Sequence, residues 1–302
     1  LTPAHRLLDL YFPLQDLPDD WTFIIISIYF NKHLKLFIFS LDSIMPDKKL
    51  SILRMKDGGE DHYTDKGLLF NLPMKLIIIG RSQLSGKTNF LGSLLLQEDA
   101  RMYRKDFNGE DIYLFSPSGD GSDHKLTTII NEKEIPRSNI YPKMDENIIE
   151  ALYDNVQEAY LKAVAEKRKP VNSLFIFDDI SFGNKTKNGA IEKLFCNGRH
   201  IMISTIITAQ KYTQISTVAR ENATGMVLFN SSNKQLDLIA EDNNYLAKKN
   251  DFQDLFRKLT AENHSFMCVN YSNSAKQRYQ NNNFEPVHSC GDVLEECRCP
   301  KD

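Results

Sequence analysis

Residues 75–79 form a short apolar run, Lys-Leu-Ile-Ile-Ile. It passes directly into Gly80-Arg81-Ser82-Gln83-Leu84-Ser85-Gly86-Lys87-Thr88-Asn89 and then into a helical pattern through Leu91, Leu94 and Leu95. A buried strand, a glycine-bearing loop, Gly-Lys-Thr and a helix, in that order, constrain the chain more than any other feature. This is the context of a Walker A loop. Backbone N–H groups of such a loop, together with the positive end of the helix, hold phosphates. Lys87 is placed to reach the β- and γ-phosphates of ATP, and the Thr88 hydroxyl to hold Mg²⁺. Gly86 lets the backbone approach without a side chain in the way. One departure stands out: five residues separate Gly80 from Gly86, where the usual form has four. Either the loop is one residue longer, or Arg81 takes the place of the first glycine. The competing reading is a chance Gly-Lys-Thr at the start of a core helix.

From residue 75 to residue 271 short apolar runs alternate with helical stretches. The runs at 75–79, 111–116, 173–177, 200–208, 226–229 and 265–270 suit buried strands. The clearest helix spans 145–169, with Ile149, Leu152, Val156, Tyr160 and Ala163 on one face. Acids open it, Lys167-Arg168-Lys169 close it in line with the helix dipole, and Pro170 stops it. Such alternation predicts an α/β domain with a mainly parallel sheet flanked by helices. Leu174-Phe175-Ile176-Phe177-Asp178-Asp179 is an apolar strand ending in two acids. Carboxylates there are costly beside a core unless they face a metal or water. Asp178 fits a Walker B role on Mg²⁺, and Asp179 is placed to polarise the attacking water. The run 200–208 leads to Gln210, suited to orienting water near the γ-phosphate. Arg199, at the opposite end of that run, cannot easily reach its own nucleotide but can reach a neighbour's, which suggests a ring with trans arginine fingers. Arg220 is the competing finger candidate; for either arginine the plain reading is a surface salt bridge.

The 302 residues are 41% hydrophobic and 25% charged, a globular balance that leaves out fibrous and wholly disordered classes. Phe23–Phe30 and Leu36–Phe39 are too short, and too separated by charge, to span a membrane. Residues 1–44 are expected to be an N-terminal extension, either two short strands or upstream reading frame translated ahead of Met45. The ATPase core is expected over 45–271, and residues 272–302 read as a polar surface tail. Five cysteines suggest a reducing compartment rather than a disulfide framework. His288, Cys290, Cys297 and Cys299 offer four zinc ligands, but as H-x-C and C-x-C they depart from the usual C-x2–4-C spacing. Loose thiols on a tail are the plainer reading.

With these elements in order, the sequence resembles the FtsK/HerA superfamily of ring-forming DNA-pumping ATPases, and within it the poxvirus-type genome-packaging branch. The resemblance rests on IIIGRSQLSGKTNF, LFSPS (114–118), LFIFDD, NGRHIMISTIITAQ (197–210) and ARENATGMVLF (219–229). It implies a P-loop NTPase sandwich of the additional-strand, RecA-like type. It further implies assembly into a homo-oligomeric ring, a hexamer or pentamer, and ATP hydrolysis coupled to movement of double-stranded DNA into capsids. Lys87 and Thr88 would then serve nucleotide and Mg²⁺, Asp178 Mg²⁺, Asp179 as base, Gln210 as sensor and Arg199 as finger. Asp179 stands where cellular relatives usually carry Glu. Capsid or portal-vertex proteins are the implied partners, and host cytoplasm or virus factory the implied location.

A net charge of -3 does not exclude DNA contact, because a ring grips phosphates through a few local cations per subunit. Lys185, Lys187 and Lys211 are the candidates, each against a simple solvated lysine. A GTPase would need Asn-Lys-x-Asp; Asn184-Lys185-Thr186-Lys187 and Asn233-Lys234-Gln235-Leu236 both lack the Asp. The alternatives to a motor are a kinase-like P-loop enzyme and a nucleotide-dependent scaffold that scarcely turns over.

Overall fold

The computed structural model describes residues 62–81, 85–179 and 189–298, together with the backbone of two strands, β1 (Phe23–Phe30) and β2 (His33–Ser40). The chain divides into two units, residues 1–56 and 57–302. In the first, the two apolar runs pair antiparallel, in register from Phe23 opposite Ser40 to Phe30 opposite His33. Met45, the candidate start, lies outside the described residues, as do Ser82, Gln83, Leu84, Lys185, Lys187 and Cys299.

In the second unit, alternation along β3 (Lys75–Ile79) sends Leu76 and Ile78 to one face of a sheet and Ile77 and Ile79 to the other. All four are fully buried, which requires cover on both faces. One face is covered by α1 (Lys87–Leu96) and α2 (His124–Glu132), through Leu91, Leu94, Leu95, Leu126 and Ile129. The other face carries α3 (Glu146–Ala165), α4 (Gly189–Asn197), α5 (Thr217–Asn222), α6 (Asn233–Asn243) and α7 (Lys249–Leu259). The remaining strands are β4 (Ile112–Phe115), β5 (Ile140–Tyr141), β6 (Ser173–Phe177), β7 (Ile203–Ala209), β8 (Gly225–Phe229), β9 (Phe266–Asn270) and β10 (Tyr279–Gln280).

The sheet order is β10-β9-β8-β3-β7-β6-β4-β5. Strands β8, β3, β7, β6, β4 and β5 run parallel, and β9 and β10 add an antiparallel edge. β7 stands between the loop-bearing β3 and the acid-tipped β6, which is the additional-strand arrangement of a P-loop NTPase sandwich. The parallel strands therefore finish at one edge, where the Gly80 amide donates to Ala209 O at 3.1 Å.

Some boundaries differ from the sequence reading for local reasons. α3 stops at Ala165, because Lys167 turns left-handed (φ 55) and the Arg168 amide closes back on Ala163 O, ahead of Pro170. The strand expected from His200 begins at Ile203, after a 3-10 turn over Gly198–Ile201 and a left-handed Met202. Residues 272–298 are not simply a surface tail. β10 pairs with β9 and buries Tyr279 and Gln280, and Val287 lies in the core beside them. Tyr279 and Val287 are the apolar side chains that this polar stretch gives to the core. Among the described residues no helix is long and apolar enough to cross a membrane.

Candidate active site

The end of β3 delivers the chain into the phosphate loop. Gly80 is needed there by close approach: a Cβ would stand 2.6 Å from the Ser85 Cβ and 3.0 Å from that of Phe229. Ser85 closes the loop by donating its hydroxyl to Arg81 O at 2.7 Å. Gly86, the N-cap of α1, adopts φ +89, a left-handed conformation that favours glycine. Lys87 opens α1, and Thr88 and the exposed Asn89 follow in its first turn. The Lys87 ammonium is buried and donates to Gly80 O at 2.8 Å and Arg81 O at 3.4 Å. Burial holds its pKa below the ordinary lysine value, while Asp179 and Asp178 pull it back up. A phosphate entering the loop would offer this ammonium a stronger acceptor than the two carbonyls.

The next two residues of the site come from the end of β6. Asp178 is buried; Oδ1 accepts from the Thr208 hydroxyl at 2.8 Å and Oδ2 from Ser116 at 3.2 Å. Burial pushes the Asp178 carboxyl above the usual carboxylate range, and those two hydrogen bonds oppose the shift. Asp179 turns left-handed (φ 49), which Asp tolerates better than most side chains. Its amide donates to the same Thr208 hydroxyl at 2.9 Å. One hydroxyl on β7 thus accepts from the second acid and donates to the first. Gln210, just past β7, places its Nε2 3.0 and 2.9 Å from the two carboxylate oxygens of Asp179. Gln214 accepts from the Gln210 and Lys211 amides and fixes the turn that presents them.

The donor set fits a divalent cation. Asp178 makes no ion pair with a described residue, its two carboxylate oxygens accept from the Thr208 and Ser116 hydroxyls, and Thr88 follows Lys87 in the first turn of α1, so the nearby side chains are hard oxygen donors. Asp178 and Thr88 are the side chains that would hold Mg²⁺; when bound, the ion would offset charge on the phosphates.

Lys87, Asp178, Asp179 and Gln210 therefore meet at one edge of the sheet. Arg199 and Arg220 do not join them. Arg199 lies in the turn before β7, and Arg220 in α5 ahead of β8, both at the opposite edge. Arg220 is ion-paired with Asp242, lies over the Tyr212 ring at 4.5 Å and donates to Thr217 at 3.1 Å. Arg199 is exposed and makes no ion pair with a described residue. Lys211 lines a depression of about 600 Å³ with Arg81, Gln210 and Lys234, beside the phosphate loop.

Three contributors escaped the sequence reading. Thr208 looked like the end of an apolar strand, and Ser116 like a strand tip without a role. His264, left-handed at φ 66, brings its ring against Gly86, where a Cβ would meet Nδ1 at 3.3 Å. Hydroxyls at the ends of neighbouring parallel strands were the available signal for the first two; nothing local marked His264.

Several solved structures resemble this chain. B204 of Sulfolobus turreted icosahedral virus 2, a genome packaging NTPase in complex with ATP-gammaS, is 14% identical with a TM-score of 0.45, over 69% of this chain and 96% of that one. B204, the DNA-packaging ATPase from Sulfolobus turreted icosahedral virus, is 14% identical with a TM-score of 0.48, over 72% and 99%. EssC (ATPases 2 and 3) from Geobacillus thermodenitrificans is 15% identical with a TM-score of 0.39, over 54% and 33%. No curated protein matches the sequence. The family model described as Poxvirus A32 protein matches residues 60–281, which takes in the whole site from the phosphate loop to Gln210. That match spans well over half of the sequence, and the chain belongs to the poxvirus A32 protein family.

Proposed function

We propose that the protein is an ATP-hydrolysing motor that moves viral double-stranded DNA into capsids. The observation that carries the hydrolytic part is the bond from Gln210 to Asp179, built beside Lys87 and the buried Asp178. Lys87 binds the β- and γ-phosphates. Asp179 takes the proton of the attacking water, and Gln210 orients that water and registers whether the γ-phosphate is present. Thr208 keeps Asp178 and Asp179 in fixed relation, so metal holding and base positioning are set by one hydroxyl.

Coupling to DNA is the finer step. Membership of the A32 family and the resemblance to FtsK/HerA pumps support a ring in which one subunit completes its neighbour's site. Arg199 is the better finger, because it is exposed and carries no ion pair among the described residues, whereas Arg220 is held by Asp242. Lys211, with Arg81 and Lys234 beside it, offers the local cations that a phosphate-gripping surface needs. Capsid or portal-vertex proteins and the virus factory are the partner and place that such a motor requires.

The test is ATP turnover by the purified full chain with and without duplex DNA. Turnover that rises with duplex DNA and scales with assembly supports the motor. Binding of ATP without turnover in either condition would instead identify a nucleotide-dependent scaffold.

A further inference from the structure

Beyond the sheet, residues 286–298 fold into a short structure of their own, poor in apolar side chains. Val287 bridges Val293, and the Val287 amide donates to Tyr279 O at 3.0 Å, so the segment begins by running back antiparallel beside β10. Within it the Gly291 amide returns to His288 O at 2.8 Å, the His288 amide donates to Asp292 O at 2.9 Å, and the Cys297 amide donates to Val293 O at 3.0 Å. These turns bring His288, Cys290 and Cys297 together although six residues separate the two cysteines. Ligand atoms of the three lie within 4.8 Å of one another, and the sulfurs of Cys290 and Cys297 are 3.4 Å apart.

That sulfur separation excludes a disulfide and fits either two thiols in contact or two thiolates on one metal ion. A disulfide would bring the sulfurs to about 2.05 Å. Two thiolates on one tetrahedral zinc, each at about 2.3 Å, stand about 3.8 Å apart. The observed spacing lies close to the second value, and an imidazole closes the triangle. Lys258 of α7 does not enter the triangle; it donates to Cys290 O and to Asp292, each at 2.8 Å, and so pins the turn from outside.

We propose that His288, Cys290 and Cys297 supply three ligands to a structural zinc ion that holds residues 288–297 in one fold beside β10 and α7. Val287 is the one residue of the segment in the buried core, so apolar packing alone gives it little to hold it. Small segments without a sufficient core take much of their folding energy from such a metal. Phe284, just before the segment, packs on Phe90 of α1 and on Phe266, with ring centroids 6.2 and 5.9 Å apart. Phe284 thus ties the chain just ahead of the segment to the helix that begins with Lys87.

The full chain, purified in reductant and dialysed against metal-free buffer, is expected to retain one zinc per chain by elemental analysis. Cys290→Ser, Cys297→Ser and His288→Ala should each drop that content to background, while Lys87→Ala keeps it. If those variants prove insoluble, the wild-type chain gives the reading by itself. Titration of its thiols with a mercurial should release zinc in step with modification. Cobalt exchanged into the site should show tetrahedral ligand-field bands with two thiolates in charge transfer. A metal-free chain, a mass-detected Cys290–Cys297 disulfide, cobalt spectra without thiolate, or zinc that survives all three substitutions would overturn the site.

Discussion

Two lysines mark the two ends of the central strand, and they are buried to nearly the same degree: Lys75 is 6% exposed at the start of β3, and Lys87 7% exposed just beyond its end. Each gives its ammonium to a backbone carbonyl, Lys75 to Phe195 O at 2.9 Å and Lys87 to Gly80 O at 2.8 Å. Burial lowers the pKa of both. Their neighbours differ in sign. Lys87 faces Asp179 and Asp178, which draw its proton tighter, whereas Lys75 faces Arg199, which pushes it off. At the loop edge a cation is held among acids, in the place proposed for phosphate and metal. At the far edge a cation caps the last turn of α4, where a helix C-terminus favours positive charge, and Arg199 is left facing outward. Equal burial with opposite surroundings separates the edge proposed to react from the edge proposed to present a residue to a neighbour.

The largest effect should come from the presenting edge. Arg199→Ala is expected to leave ATP binding intact and to lower turnover of the assembled ring by about 10³–10⁵-fold, the usual worth of an arginine finger. Arg220→Ala should instead weaken the fold, because it removes the ion pair to Asp242 and the stack on Tyr212. Steady-state turnover and thermal melts of both variants separate the roles. If Arg220→Ala alone silences an otherwise stable ring, the assignment of the far edge is wrong.

Next comes the reacting edge itself. Asp179→Asn retains the shape but not the basicity, so single-turnover hydrolysis should fall by about 10²–10⁴-fold with ATP affinity nearly unchanged. Lys87→Ala should act on the other quantity. Losing a charge-assisted bond of about 1.5–3 kcal/mol weakens ATP binding by roughly ten- to a hundredfold or more. Calorimetric titration with a non-hydrolysable analogue measures it, and unchanged affinity would remove Lys87 from the site.

The reacting edge was largely legible because its signals are local. An apolar run ending in Gly80 to Thr88, another ending in Asp178-Asp179, and a third leading to Gln210 each announce a strand whose tip carries chemistry. What joins them was not legible. Thr208 binds Asp178 and Asp179 only because β6 and β7 lie side by side, a pairing of residues about thirty positions apart that no local pattern contains. The same holds at the far edge. Arg199 and Arg220 read alike in sequence, and only the fold of α6 beside α5 brings Asp242 to one of them. The segment after β9 misled for the opposite reason: its polar composition hid Tyr279 and Val287, which packing found. Composition averages over a segment, and burial selects single residues within it.

The smallest effect tests the far edge by pH. The folded pKa of Lys75 lies below its ordinary value of 10.5, chiefly through burial and then through Arg199. Between the lowered folded pKa and 10.5 the unfolded chain therefore holds more protons than the folded one, and stability rises with pH across that window. Below the window both states carry the charge and the cost of burying it is constant. Compared with Lys75→Met, the wild-type chain should gain melting temperature as pH climbs toward 10.5 and keep a fixed offset at neutral pH. In Arg199→Ala the folded pKa of Lys75 should move up, so the same gain begins at higher pH and is smaller. A slope of the other sign would mean that the ammonium at Phe195 O is favoured by the folded state more than burial disfavours it. Arg199 would then not be what loosens the Lys75 proton, and the contrast between the edges would rest on the acids at Lys87 alone.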